Sequence, residues 1–70
     1  METRAQIGEA VRRRRKRRGL SIRALARLAQ VSKSVVGEIE NDGRYSYESA
    51  ESVAVALGVK LSSLLREVGA

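Results

Sequence analysis

Between Leu25 and Ile39 the chain reads Leu-Ala-Arg-Leu-Ala-Gln-Val-Ser-Lys-Ser-Val-Val-Gly-Glu-Ile: two short, apolar-faced helices hinged at Gln30-Val31-Ser32. In 70 residues such pieces persist only by burying a large share of their apolar side chains against one another. The apolar set is aliphatic, with no Phe, no Trp and only Tyr45 and Tyr47, and Pro is absent. Leu, Ile, Val and Ala in that proportion predict an all-α chain folded as a compact helical bundle.

Five helical segments are expected, separated by Gly or polar breaks. The first starts near Thr3, whose spacing to Gln6 makes a capping box, and runs to Arg18 before Gly19, with Ile7 and Val11 as its apolar stripe. Ser21 can cap the second, where Ile22, Leu25, Ala26 and Ala29 recur at helical spacing. Ser32 can cap the third, from Ser32 to Ile39, with Val36 and Ile39 inward and Asn41-Asp42-Gly43 as the turn that ends it. Ser46 caps a fourth helix with Tyr47, Ala50, Val53, Ala54 and Leu57 on its inner face, stopped by Gly58. Leu61, Leu64, Leu65 and Val68 stripe a last helix before Gly69. No repeat, linker or boundary divides residues 1–70, so one domain is expected.

The composition excludes several functions. Cys and His are both absent, which removes disulfides, thiolates and the commonest metal ligands, and suits a reducing cytoplasm. With one Asp and seven Glu as the remaining acid–base groups of note, a hydrolytic or metal-dependent site is hard to build. An enzyme is therefore the least favoured class, and no cofactor or small-molecule ligand is expected. No apolar run approaches the ~20 residues that cross a bilayer, and the N-terminus carries no signal-peptide pattern. No membrane partner is expected.

A net charge of +6 predicts attraction to a polyanion. Its densest source is Arg12-Arg13-Arg14-Arg15-Lys16-Arg17-Arg18, but seven successive cations at ~100° per residue encircle a helix and cannot all face one partner. The third helix supplies the shape that charge lacks. It is short, and Lys33, Ser34, Gly37 and Glu38 point outward with Val35 near the edge. A DNA major groove ~12 Å wide admits such a helix, whose first turn then meets base edges. Lys33 could donate to guanine, Ser34 could donate or accept, Glu38 could accept from a cytosine amino group, and Val35 could touch a thymine methyl. The rival reading of Glu38 is a solvated surface carboxylate. Gly37 reads either as a close approach of backbone to DNA or as tight packing or tolerated drift. Ser32 caps its helix and, with the exposed N–H groups there, could also meet a phosphate.

The residues resemble the Cro/repressor-type helix-turn-helix family, the XRE family. The string is Ile7-Gly8 … Val11 … Arg15 … Gly19-Leu20-Ser21 … Leu25-Ala26 … Val31-Ser32 … Ile39-Glu40, then Ala54 … Ala56-Leu57-Gly58-Val59 … Leu61 … Leu64-Leu65, almost the whole chain. The resemblance implies a lambda repressor-like five-helix bundle whose third helix enters the major groove, often as a two-fold dimer. It also implies a structural ion pair between Arg15 and Glu40, joining the first helix to the end of the third. Arg23, Arg27 and Arg44 would flank the groove. Four positions depart from the family: Ile22 stands where Gln is usual, Gln30 where the turn has Gly, Arg14 where the residue is apolar, and Tyr45 where Pro is common. A left-handed backbone is strained for Gln, so an altered turn is expected at Gln30.

The remaining charges divide by position. Arg14 and Arg18 are expected to lay their stems over the core with their charged ends in water. Arg12, Arg13, Lys16 and Arg17, with Arg23, Arg27, Ser32 and Arg44, are candidate phosphate ligands, supplying affinity and register but little sequence choice. Dimerisation would double the reading surface. Leu61 and Leu64 read as core, leaving Leu65 and Val68 as candidate dimer contacts.

These readings lead to a sequence-specific regulator of transcription that binds double-stranded DNA. A repressor that covers promoter DNA as a homodimer on a palindromic operator, in a bacterial or phage-infected cytoplasm at the nucleoid, is the expectation. Two alternatives stand beside it: an antitoxin of the same fold that binds a toxin partner and represses its own operon, and a basic nucleoid-type or RNA-binding protein that uses charge without reading bases.

Overall fold

Three of the connections between helices close in the same way, and that closure sets the architecture. The computed structural model describes residues 3–69, with side chains for residues 6–66. It contains α1 (Thr3–Arg17), α2 (Ile22–Ala29), α3 (Lys33–Asp42), α4 (Tyr47–Ala56) and α5 (Leu61–Gly69), with no strand among the described residues. After α1, α2 and α4 the chain turns through a left-handed residue: Gly19, Gln30 and Gly58, at φ 71°, 59° and 80°. The next N–H then reaches back to a carbonyl five residues earlier, Leu20 to Arg15, Val31 to Ala26 and Val59 to Ala54, at 3.0–3.1 Å. This is the Schellman closure, which satisfies orphan carbonyls and points an apolar side chain at the helix just ended. Leu20, Val31 and Val59 all pack against the core.

The turn expected to change at Gln30 therefore keeps its geometry. Gln30 takes φ 59°, ψ 41°, and its N–H donates to Ala26 and Arg27. Being exposed, its side chain meets no steric obstacle, and the two hydrogen bonds offset the backbone strain.

The helix starts follow local chemistry. Ser21 Oγ accepts from Ala24 N at 3.0 Å, and Ser32 Oγ accepts from Val35 N at 3.2 Å. Ser46 and Ser49 form a reciprocal capping box at the start of α4. The expected Thr3–Gln6 box lies outside the described side chains.

Ile7, Leu25, Val36, Ile39, Val53 and Leu64 are fully buried at the centre. Around them α1 packs on α3 and α5, while α2 packs on α3 and α4. Two expectations need correction. Tyr47 lies on the outside, 67% exposed, not on the inner face of α4. It shares a spacing with Ala50, but Glu51 and Val55 follow it at i+4 and i+8, and it lies with them on the outer stripe. The third helix also continues through Asp42, where Gly43 at φ 62° ends it. Asn41 and Asp42 are turn formers, yet here they complete a helical turn whose left-handed cap comes one residue later.

Helices α1 and α3 approach closely at Gly8. A Cβ there would overlap the carbonyl oxygen of Ile39 and lie 2.9 Å from that of Glu40, so α1 rests directly on the backbone of α3. Gly8→Ala is expected to destabilise the fold by about 2 kcal/mol, the usual cost of overpacking, read from urea unfolding. Gln30→Gly should act in the opposite direction. Relief of the left-handed strain, offset by the greater unfolded-state entropy of Gly, is expected to raise stability by roughly 0.5–1 kcal/mol in the same measurement.

Candidate nucleic-acid interface

Because α3 rises at 3.6 residues per turn, burying Val36, Ile39 and Glu40 forces Lys33, Ser34, Glu38 and Asn41 outward. Those four are exposed and Gly37 is half-buried between them. Val35 is half-buried and packs against the core, so less of it is open to a partner than an edge position offers. The Ser32 hydroxyl is occupied by the cap of α3. The outward face of α3 is polar, narrow and presented from its first turn.

Beside it opens a shallow groove shared with the start of α2. Arg15, Ser21, Ile22, Arg23, Lys33, Ser34 and Gly37 line it. Sequence reasoning placed Lys33, Ser34, Gly37 and Arg23 at a site, but read Ser21 as a cap and Ile22 as a departure from pattern. The hinge at Gln30 and Val31 folds the N-terminus of α2 beside the N-terminus of α3, which no local signal discloses. One reading of Gly37 is also removed here. A Cβ at that position would meet nothing within 4 Å, so tight packing within the protein does not account for the glycine.

The far end of α3 is held by charge. Glu40 has a side chain only 1% exposed, and Arg15 meets it in a two-pronged pair, Nε to Oε2 at 2.7 Å and Nη2 to Oε1 at 3.1 Å. The third donor of Arg15, Nη1, reaches the Leu20 carbonyl at 2.8 Å, tying the same guanidinium to the turn before α2. Arg12 adds a second, looser contact to Glu40 Oε1 at 3.4 Å and also donates to Asn41 Oδ1. A buried carboxylate is tolerated because its lone pairs are filled by matching donors.

The other cations separate into groups. Arg12, read from sequence as a phosphate ligand, is engaged with the end of α3, because its position on α1 overlooks Glu40 and Asn41. Arg17 lies with Arg14 and Arg18 around Leu57, Gly58 and Val59, a different concavity from the groove. Arg18 Nη1 donates to the Leu57 carbonyl at 2.8 Å, closing the end of α4, so its charged end is bonded to the protein. Arg13, Lys16, Arg27 and Arg44 are exposed on α1, on α2 and after α3. Arg23 is the phosphate candidate that shares the groove with Lys33 and Ser34. Leu65 is 41% exposed, while the side chain of Val68 lies outside the described residues. Leu28 and Val55, not anticipated from sequence, are also exposed apolar side chains, at 58% and 66%.

The helix-turn-helix family profile matches residues 11–64, from the middle of α1 into α5. The chain belongs to the XRE-type helix-turn-helix family. Among solved structures, this helix-turn-helix chain is similar to the clp gene regulator ClgR from Corynebacterium glutamicum, with a TM-score of 0.84 and 32% identity. The match covers 96% of this chain and 72% of ClgR. No curated protein sequence matches the chain. Family and fold together support a DNA-binding regulator of transcription. Among the described residues no helix is long and apolar enough to cross a membrane, and no cluster of acidic side chains has metal-binding geometry.

Arg15→Ala is expected to cost about 3 kcal/mol of folding stability, because it strands a buried carboxylate with one loose partner. Lys16→Ala, one residue away and exposed, should change stability by less than about 0.5 kcal/mol in the same thermal unfolding experiment.

Proposed function

We propose that residues 1–70 form one sequence-specific DNA-binding domain, a repressor that places α3 in the major groove and covers promoter DNA as a homodimer. The observation that carries the proposal is the single groove shared by Lys33, Ser34 and Gly37 of α3 with Ser21 and Arg23 beside them. Base-reading groups and a phosphate-reaching cation lie together there, on elements held rigid by buried contacts. Lys33 and Ser34 meet base edges, Glu38 accepts from a cytosine amino group one turn further on, and Arg23 grips the adjoining phosphate. Arg27, Arg44 and the exposed cations of α1 add long-range attraction. The setting is the cytoplasm, at the nucleoid.

Size supports a two-fold arrangement. The longest dimension of the molecule is 29 Å, less than the ~34–36 Å between half-sites one DNA turn apart, so one copy reads one half-site and two fit side by side. Leu65, exposed on α5, is the proposed self-contact, with Val68 one turn further on.

Selection of bound duplexes from a random pool tests this reading, and the expected result is a palindromic motif with half-sites about one turn apart. Random DNA that competes as well as the selected sequence would sink it in favour of charge-only binding. In gel shifts on the selected operator, Lys33→Ala is expected to alter base preference at one position by about 1–3 kcal/mol. Arg23→Ala should weaken all sequences alike and reduce the slope of log K against log salt by about one. Arg17→Ala, outside the groove, should lower affinity less than Arg23→Ala.

A further inference from the structure

The groove beside α3 holds an apolar element that hydrogen-bond readout does not use. Five of its seven lining residues are polar, yet the surface they expose is mostly carbon, to which Ile22 and the aliphatic stems of Arg15, Arg23 and Lys33 can all contribute. Ile22 is the first residue of α2 and only half-buried, so part of its side chain is open to the groove. Gly37 is the poorest helix former short of Pro, placed mid-helix where a side chain would meet open space. An open branched alkyl group beside a missing side chain makes a hollow with one apolar wall.

We propose that the Ile22–Gly37 hollow receives the 5-methyl group of a thymine, making Ile22 and Gly37 specificity-determining residues. The inference rests on the reading that α3 enters the major groove. Thymine presents two features there, the methyl group and the O4 acceptor beside it. The groove offers a counterpart to each: carbon from Ile22 for the methyl, and a donor from Lys33 or Ser34 for O4. Val35, the other aliphatic side chain near this face, packs against the core as Ile22 does but does not line the groove. Gly37 allows the base edge to come close, and any larger residue there would occupy the space the methyl enters.

The test starts from an operator selected out of a random duplex pool, in which each thymine is replaced singly by deoxyuridine to remove one methyl group. Wild-type protein is expected to lose about fourfold in affinity at one thymine per half-site, the ratio that follows from burying one methyl group. In Gly37→Ala the added methyl takes up the space beside the α3 backbone, and in Ile22→Ala the apolar wall is missing. In both, the thymine-to-uracil ratio at that position should fall to near one while other positions keep their base preferences. Melting curves accompany each variant. Gly37→Ala meets no packing obstacle, so it reports even if Ile22→Ala proves too unstable to assay. A selected half-site without a methyl-sensitive thymine overturns the proposal and leaves sequence-specific binding intact, as does a penalty unchanged in Gly37→Ala. A pool that yields no preferred sequence removes the parent reading, and the methyl notch with it.

Discussion

Glu40 is a carboxylate in the interior of a bundle otherwise built from aliphatic side chains, and the placement of α3 depends on how its charge is met. Arg15 answers it with two donors and uses a third on the Leu20 carbonyl, so one guanidinium joins α1, the turn before α2 and the end of α3. Arg12 reaches the same carboxylate and the neighbouring Asn41. Gly8, one helical turn or two earlier on α1, brings the two backbones into contact and shortens the reach both arginines must span. Replacing such a pair by apolar residues is often neutral for stability. What the pair adds here is direction: two hydrogen bonds of defined geometry join α1 to the end of α3, beside the close backbone contact at Gly8.

That anchoring at one end leaves the other end free to face outward. The N-terminal turn of α3 carries Lys33 and Ser34 and ends on the Ser32 cap, beside the equally capped start of α2. Two helix N-termini side by side concentrate backbone N–H groups and partial positive charge on the face where the groove lies. The same face carries Arg23 and Lys33. Attraction of a polyanion to this protein therefore has a local component built from helix ends and groove cations, and a diffuse one from the exposed cations of α1.

Much of the helical pattern can be read in the chain itself. Ser21, Ser32 and Ser46 act on N–H groups three residues away, and Gly19, Gly43 and Gly58 supply left-handed backbone on the spot. Such interactions depend on near neighbours, which is why they are legible. The same locality misleads at three places. Asn41-Asp42 reads as a turn but completes α3, since contacts from α1 reach Glu40 and Asn41 across 28 and 29 residues of sequence. Tyr47 has the spacing of an inward residue, yet the rotation of α4 is set by Ala50, Val53 and Ala54, which leaves the ring outside. Gln30 shows a third case, where a residue disfavoured in a left-handed turn adopts it because two backbone hydrogen bonds and the burial of Val31 favour the turn as a whole.

The seven cations from Arg12 to Arg18 separate the two kinds of information most clearly. Composition and periodicity establish that they lie on one helix and cannot share a direction. The family resemblance named Arg15 as the partner of Glu40, but that Arg12 joins it and that Arg18 closes α4 at Leu57 depends on what packs against each side of α1, and those neighbours lie 28 and 39 residues away. The groove has the same origin, since Ile22 and Gly37 become neighbours only through the hinge at Gln30-Val31. Chain order specifies where helices begin, which faces are apolar and how much charge the surface carries, because each is a property of adjacent residues. The partners of Arg12 and Arg18 and the shape of the reading surface were settled by folding, because they are made by residues that meet only in three dimensions.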